Sequence, residues 1–315
     1  MKRDVTVIGA GVVGLTSAIS LLERGHRVHI VAESVEDTDS AVAAALWAVP
    51  FVEQSERTRA WAYQTLARLR RDAATDVGVR EQLCRIVGLT PSAGDPWTRG
   101  FTPPIRTAEP RELPHGFGAG TISSIPLIDT RRYLGVLRES VLELGGSIQL
   151  RRVGAIREIV DDRAVVINAA GFAAAALAGD TSIRAIRSQI VRVANPGLSM
   201  TTIVREGPLA PLFIVPRFDD VVIGGPVDHG RHDPQPDPAL EEELLLRACL
   251  IEPSVGGAPV LSRAVGHRPV RDTVRVEAEL IDGCSVIHCY GHGGAGVALS
   301  WGTAGAVADL VESIA

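Results

Sequence analysis

Lysine is almost missing from this chain: of 32 basic residues among 315, only Lys2 is lysine and the rest are arginine. With many alanines, that bias points to a high-GC bacterial genome and says nothing about chemistry. An excess of positive charge is also absent. The formal net charge is −5, so there is no electrostatic footprint for nucleic acid or an anionic membrane. The four cysteines, Cys84, Cys249, Cys284 and Cys289, form no C-x-x-C pair and no metal-ligand spacing, which excludes a zinc ribbon and a disulfide scaffold. Free thiols in a reducing cytosol are expected. No apolar run is long enough to span a bilayer; Ala41 to Val52 is too short. Val5 to Leu22 resembles a signal peptide, but its glycines and Asp4 fit a strand entering a helix better, and no small-x-small cleavage site follows. No repeat of fixed period and no flexible linker interrupts the chain.

What is present suits a large core: 46% of residues are hydrophobic and 22% charged. "DVTVIGAGVVGLTSAISLLERGHRVHIVAE" reads as strand, glycine turn, helix and second strand, with Leu15, Ile19 and Leu22 on one helical face and Gly25 ending the helix. This is the opening unit of a doubly wound α/β sheet. From Phe51 the pattern becomes helical, then loosens into a proline-rich loop reaching Arg111. "PLIDTRRYLGVLRESVLELGG" predicts a helix capped by Asp129 or Thr130 and ended by glycine. "SIQLRRV" and "AVVINAAG" read as returning strands. The short apolar runs between Arg187 and Asp228 predict an antiparallel sheet. "PALEEELLLRACL" is a further helix, and "SVIHCYGHGGAGVALSWGTAGAVADLVESIA" is strand, glycine turn and long helix once more.

Gly9, Gly11 and Gly14 form G-x-G-x-x-G between a strand and a helix, and Glu33 stands 19 residues beyond Gly14 at the end of strand two. The first glycine makes the tight turn, the second admits a pyrophosphate to the backbone N–H groups, and the third packs helix on strand. The acid accepts from a ribose hydroxyl. NAD and FAD share this fingerprint. The second turn, "YGHGGAG", favours FAD, because a long flavin can reach it and a helix N-terminus stabilises negative charge on the reduced ring. An ordinary glycine turn packing a C-terminal helix is the remaining alternative.

The chain resembles the D-amino-acid oxidase family of FAD-dependent oxidases over nearly its full length. The segments that carry the resemblance are "VIGAGVVGL", "AAALWAVP", "PLIDTRRYL", "VVINAAG", "RSQIVRV", "FIVPRFDDVVIGG", "GHRPVRDTVRVE" and "VIHCYGHGGAGVALSWG". It implies an α/β fold: a Rossmann-like FAD-binding domain (1–50, 134–185 and 262–315) interleaved with a smaller, mainly antiparallel β-sheet substrate domain (51–133 and 186–261). It implies non-covalent FAD, hydride transfer from an amine-bearing carbon to the flavin, an imine hydrolysed to keto acid and ammonia, and hydrogen peroxide from dioxygen. By the resemblance, Gly9, Gly11, Val12, Val13, Gly14 and Glu33 hold the adenosine pyrophosphate. Ser40, Ala45 and Leu46 line the flavin, with Val153, Ala170 and Gly171 next to it. Gly293, Gly294, Ala295, Gly296, Val297 and Ala298 take its pyrimidine end. Arg271, the second arginine of "RPVR", matches the carboxylate clamp, and the Gly294 carbonyl matches the acceptor for the substrate amine. No side chain is assigned as a catalytic acid or base.

The match departs from the family at the substrate. The family's pocket tyrosines align with Phe213 and Leu209, the segment after "ALW" is Ala48, Val49 and Pro50, and the lid from Asn195 to Leu212 is short. A lost charge-assisted hydrogen bond costs about tenfold to a hundredfold in carboxylate affinity. The expected substrate is therefore a bulkier, more apolar or N-substituted amino acid. His229 and His232 beside Asp228 and Asp233 read as a polar loop rather than a metal site, and no metal is expected. The expected partners are a small amino acid or amine and dioxygen; a homodimer is compatible with the sequence but not specified by it. Three other functions fit the residues less well: a dehydrogenase with another electron acceptor, a non-catalytic flavin-binding protein and an NAD-linked dehydrogenase.

Overall fold

The structure is a computed structural model describing residues 2–49, 51–75, 77–90, 105–159, 164–229, 233–281 and 283–314. Pro50, the proline-rich stretch 91–104 and His232 lie outside the described residues. The strands, in chain order, are β1 (Asp4–Ile8), β2 (Arg27–Ala32), β3 (Val79–Gly88), β4 (Arg106–Thr107), β5 (Ala119–Ile128), β6 (Ser147–Leu150), β7 (Ala164–Asn168), β8 (Arg184–Ala194), β9 (Thr201–Val204), β10 (Leu212–Pro216), β11 (Asp220–Asp228), β12 (Val260–Ile281) and β13 (Cys284–His292). The helices are α1 (Val12–Glu23), α2 (Asp39–Val42), α3 (Glu56–Asp72), α4 (Thr130–Glu143), α5 (Ala173–Ala178), α6 (Pro238–Ile251) and α7 (Gly296–Ser313).

All thirteen strands join one sheet in the order β4-β5-β3-β9-β10-β11-β8-β12-β13-β7-β1-β2-β6. The run β13-β7-β1-β2-β6 is parallel. Its strands are nearly continuous apolar runs because helices cover them, and α1 packs on α7 and α4. The other side is antiparallel apart from the parallel pair β3–β9. β12 belongs to both: it pairs with β8 over Val260–Val270 and with β13 over Val270–Ile281.

Two expectations are corrected. The stretch after α3 is not loop throughout, since Val79–Gly88 is an interior strand between β5 and β9. Its polar residues hide the pattern because they are satisfied internally: the Gln82 amide donates to Thr201 Oγ1 (2.8 Å) and the Pro216 carbonyl (2.9 Å). The helix expected at Asp129 or Thr130 is α4, which starts at Thr130 with the Asp129 side chain capping the Arg132 N–H, directly after Pro126–Ile128 finish β5. The stretch from Asn195 to Leu212 also contains β9, held on both sides, so only the turn before β10 is free to form a lid.

Candidate functional site

Where the parallel and antiparallel parts of the sheet meet, a cavity of about 1060 Å³ runs from the end of β2 to β10 and β11. That reaches the top of the ~300–1,000 Å³ range of small-molecule pockets, as an extended cofactor with substrate beyond it requires. Gly9, Gly11, Val12, Val13, Glu33, Ser40, Ala45, Leu46, Val153, Ala170, Gly171, Gly293, Gly294, Gly296 and Val297 all line it. Gly14, Ala295 and Ala298 do not. Their task is packing: a Cβ on Gly14 would stand 2.0 Å from the Gly9 carbonyl oxygen, and Ala295 and Ala298 are 1% exposed in the core.

At the cavity α2 is capped by Thr38, whereas the starts of α1 and α7 differ from those of the longer helices elsewhere. Helices α3, α4 and α6 are capped by the side chains of Ser55, Asp129 and Asp237. Neither α1 nor α7 has a side-chain cap or an acidic residue in its first turn. Their N–H groups therefore face the cavity with partial positive charge to offer an anionic or electron-rich group. Ser40 Oγ accepts only from the Val12 N–H, at 3.1 Å. Gly9 (φ +108°) sits where any side chain would collide with the Ala169 carbonyl at 2.5 Å, which brings β1, α1 and β7 together around the turn. At the other end a Cβ on Gly293 would be 2.3 Å from the Phe51 carbonyl oxygen. An FAD fits this donor set: pyrophosphate at the α1 turn, a ribose hydroxyl on Glu33 and the electron-rich flavin edge at α7.

The two arginines of "RPVR" take opposite roles. Arg268 lies in the regular ladder with β8, and Arg271 in the irregular stretch after Val270. Arg271 does not line the cavity; its Nε donates to Asp180 Oδ2 at 3.1 Å and its Nη1 to Thr273 Oγ1 at 3.0 Å. Arg268, passed over at the sequence level, does line it. Its Nη2 lies 3.3 Å from Ser188 Oγ and its guanidinium 5.4 Å from the centre of the Phe51 ring. Among the described residues no carboxylate pairs with Arg268, and burial lowers its pKa. A half-buried guanidinium facing a cavity with no counter-ion among the described residues is a site for one. Only one of the two arginines lines the cavity; the sequence holds no signal for which.

Around Arg268 the walls are apolar: Ala48, Phe51, Ile203, Leu212, Phe213, Val215 and Val227, with Arg205 also lining. Phe213 lies across Gly224, whose Cβ would be 2.5 Å from its Cζ. Leu209 is not in the lining but packs under α6. Asp39 is a cavity residue the sequence reading missed. Its Oδ1 accepts from the His267 N–H at 2.8 Å, and burial raises its pKa. His292 lines the cavity, but burial pushes its imidazole down to about 4, so it is neutral at physiological pH. Among the described residues there is no cluster able to hold a metal ion, and no helix is long and apolar enough to cross a membrane.

The glycine-turn starts of α1 and α7 on one elongated cavity, with a half-buried arginine beyond them that pairs with no described carboxylate, mark a flavin-dependent oxidoreductase. The chain belongs to the FAD dependent oxidoreductase family, whose profile matches residues 4–310. It is 40% identical over 309 residues to a D-amino-acid oxidase of Rubrobacter xylanophilus, covering 96% of this chain and 94% of that protein. It is 35% identical over 318 residues to a D-amino-acid oxidase of Streptomyces coelicolor, covering 98% and 97%. In fold it is similar to glycine oxidase from Bacillus cereus, with a TM-score of 0.80 at 21% identity over 99% of this chain and 95% of that one.

Proposed function

We propose that this chain is an oxidase of D-amino acids with apolar side chains. The observation that carries the reading is Arg268: a half-buried cation on the cavity wall that no carboxylate in the described structure neutralises. Its planar fork takes the substrate carboxylate in two hydrogen bonds. The Gly294 carbonyl accepts from the amine, which turns the amine-bearing carbon toward the ring. The apolar wall from Ala48 to Val227 takes the side chain and excludes water. Bound in the cavity, FAD supplies the hydride acceptor. None of the lining side chains is needed as a base: positioning and desolvation carry the step, and the His292 imidazole, pushed down to about 4 by burial, is a weak base. The imine is released to water, which yields keto acid and ammonia. Dioxygen is the proposed final acceptor, giving hydrogen peroxide. The relatives named D-amino-acid oxidase support the D configuration.

Phe213 stands where a hydroxyl would add a second hold on the carboxylate, so Arg268 carries that hold alone. The substrate domain is proposed as 51–133 with 186–261, and cytosolic residence is supported by four cysteines none of which is joined in a disulfide. The test is the visible spectrum of the purified holoprotein under anaerobic conditions with D-leucine, D-valine and N-methylated amino acids. D-leucine is expected to bleach the flavin bands, and Arg268→Met to raise KM about tenfold to a hundredfold with FAD still bound. If Arg268→Met leaves KM unchanged, the carboxylate is held elsewhere and the reading is wrong.

A further inference from the structure

Between Val270 and Arg275 the register of β12 against β13 shifts. Val270 faces His292 and Arg275 faces Tyr290, so five steps on β12 oppose two on β13. The bulge lies opposite Gly291, the first residue of the second glycine turn (φ +82°). The aliphatic part of Arg271 crosses that glycine: a Cβ there would be 2.9 Å from Arg271 Cβ and 3.2 Å from its Cδ. The guanidinium then does two things. Nη1 closes the bulge on the Thr273 carbonyl (3.0 Å), and Nε reaches Asp180 Oδ2 at 3.1 Å.

Asp180 lies between α5 and β8, and the same Oδ2 accepts from the Tyr290 hydroxyl at 2.9 Å. Tyr290 is the residue before Gly291 and itself lines the cavity; its hydroxyl also accepts from Arg275 Nη1 at 2.6 Å. Burial opposes the charge on Asp180, yet hydrogen bonds from Ser182, Tyr290 and Arg271 hold its carboxyl well below the usual range. One ionised oxygen thus ties the bulge on β12 to the last strand before the turn. A bulge in a ladder is the device that aims a segment away from the regular sheet, and this one is braced on both sides.

We infer that Arg271 is a positioning residue: with Asp180 and Tyr290 it sets the Gly291–Gly294 turn against the flavin end of the cavity, and it does not touch substrate. This rests on the reading of the cavity as the FAD site. The inward arginine stands just before the bulge, in the ladder with β8, and the brace stands within it.

The experiment compares Arg271→Met, Arg271→Lys, Tyr290→Phe and Arg268→Met as holoenzymes. It reads the FAD dissociation constant from flavin fluorescence, the flavin midpoint potential, and KM for D-leucine at saturating FAD. Arg271→Met and Tyr290→Phe are expected to weaken FAD by about tenfold and shift the potential, with KM within about twofold of the parent. Arg271→Lys, which keeps the charge, restores part of the FAD affinity. Arg268→Met gives the opposite split. If Arg271→Met fails to fold, Tyr290→Phe, which removes only a hydroxyl, reads the same two quantities. The inference is overturned if Arg271→Met raises KM as Arg268→Met does while FAD affinity and potential stay put, and equally if Tyr290→Phe moves neither. A parent protein that binds no FAD would instead sink the functional reading.

Discussion

At the first glycine turn one contact that forbids a side chain comes from inside the turn, Gly14 against the carbonyl of Gly9, and one comes from just beyond the end of β7, where the Ala169 carbonyl lies against Gly9. At the second, the contacts come from far away. Arg271 lies over Gly291 and the Phe51 carbonyl over Gly293. The first turn is thus local in its motif, the spacing of three glycines on a strand–helix junction, with a distant contact at Ala169. The second is a device of assembly, shaped only once β12, β13 and the segment after Leu46 have met. A local motif survives as a recognisable string, whereas an assembled one depends on residues whose roles the string does not reveal.

The contrast can be broken at its strongest point first. Gly14→Ala puts a methyl 2.0 Å from a backbone oxygen that cannot give way, and it should abolish FAD binding. The measurement is the flavin absorbance retained after gel filtration, together with the melting temperature; a yellow, stable variant would show that the turn tolerates reshaping. Acid provides a smaller perturbation that acts on the second turn alone. The imidazole of His292 titrates near 4 in the fold and near ~6.5 when unfolded. Between those values the unfolded chain binds more protons, so stability present at neutral pH is lost as pH falls through that window, by roughly 3 kcal/mol at most for this group. No titratable side chain stands between Gly9 and Gly14. Thermal melts from pH 7 to 4 should show a steeper fall for the parent than for His292→Gln, and parallel curves would mean other groups dominate. The smallest effect concerns the substrate end. Phe213→Tyr offers a hydroxyl beside the carboxylate site and should lower KM by up to about tenfold; an unchanged KM would mean the hydroxyl cannot reach.

The same contrast governs what the sequence discloses. The β1–α1–β2 unit is legible because Leu15, Ile19 and Leu22 repeat at helical spacing and Gly25, at φ +83°, stops the helix. The cofactor-lining residues around both turns follow from motif position, since backbone groups do the binding there. β3 is illegible because a strand buried between β5 and β9 keeps Arg80, Gln82 and Arg85 by giving them internal partners, so the alternation of apolar and polar residues disappears. Arg268 and Arg271 are indistinguishable as letters. Only the pairing of β12 with β8 and β13, and the presence of Asp180 on one side, decides which arginine meets the cavity and which meets a carboxylate. Asp39 is hidden for a similar reason: its neighbour His267 comes from a strand more than two hundred residues later.

The length of β12 has a mechanical consequence. Because one 22-residue strand is hydrogen-bonded to β8 along its first half and to β13 along its second, the two lobes share a beam rather than a hinge. Swinging them apart would mean tearing a ladder on one side of that beam. Traffic of amino acid in and keto acid out is therefore a matter for the short turn between β9 and β10 at the cavity rim, while the body of the protein stays stiff around its cofactor.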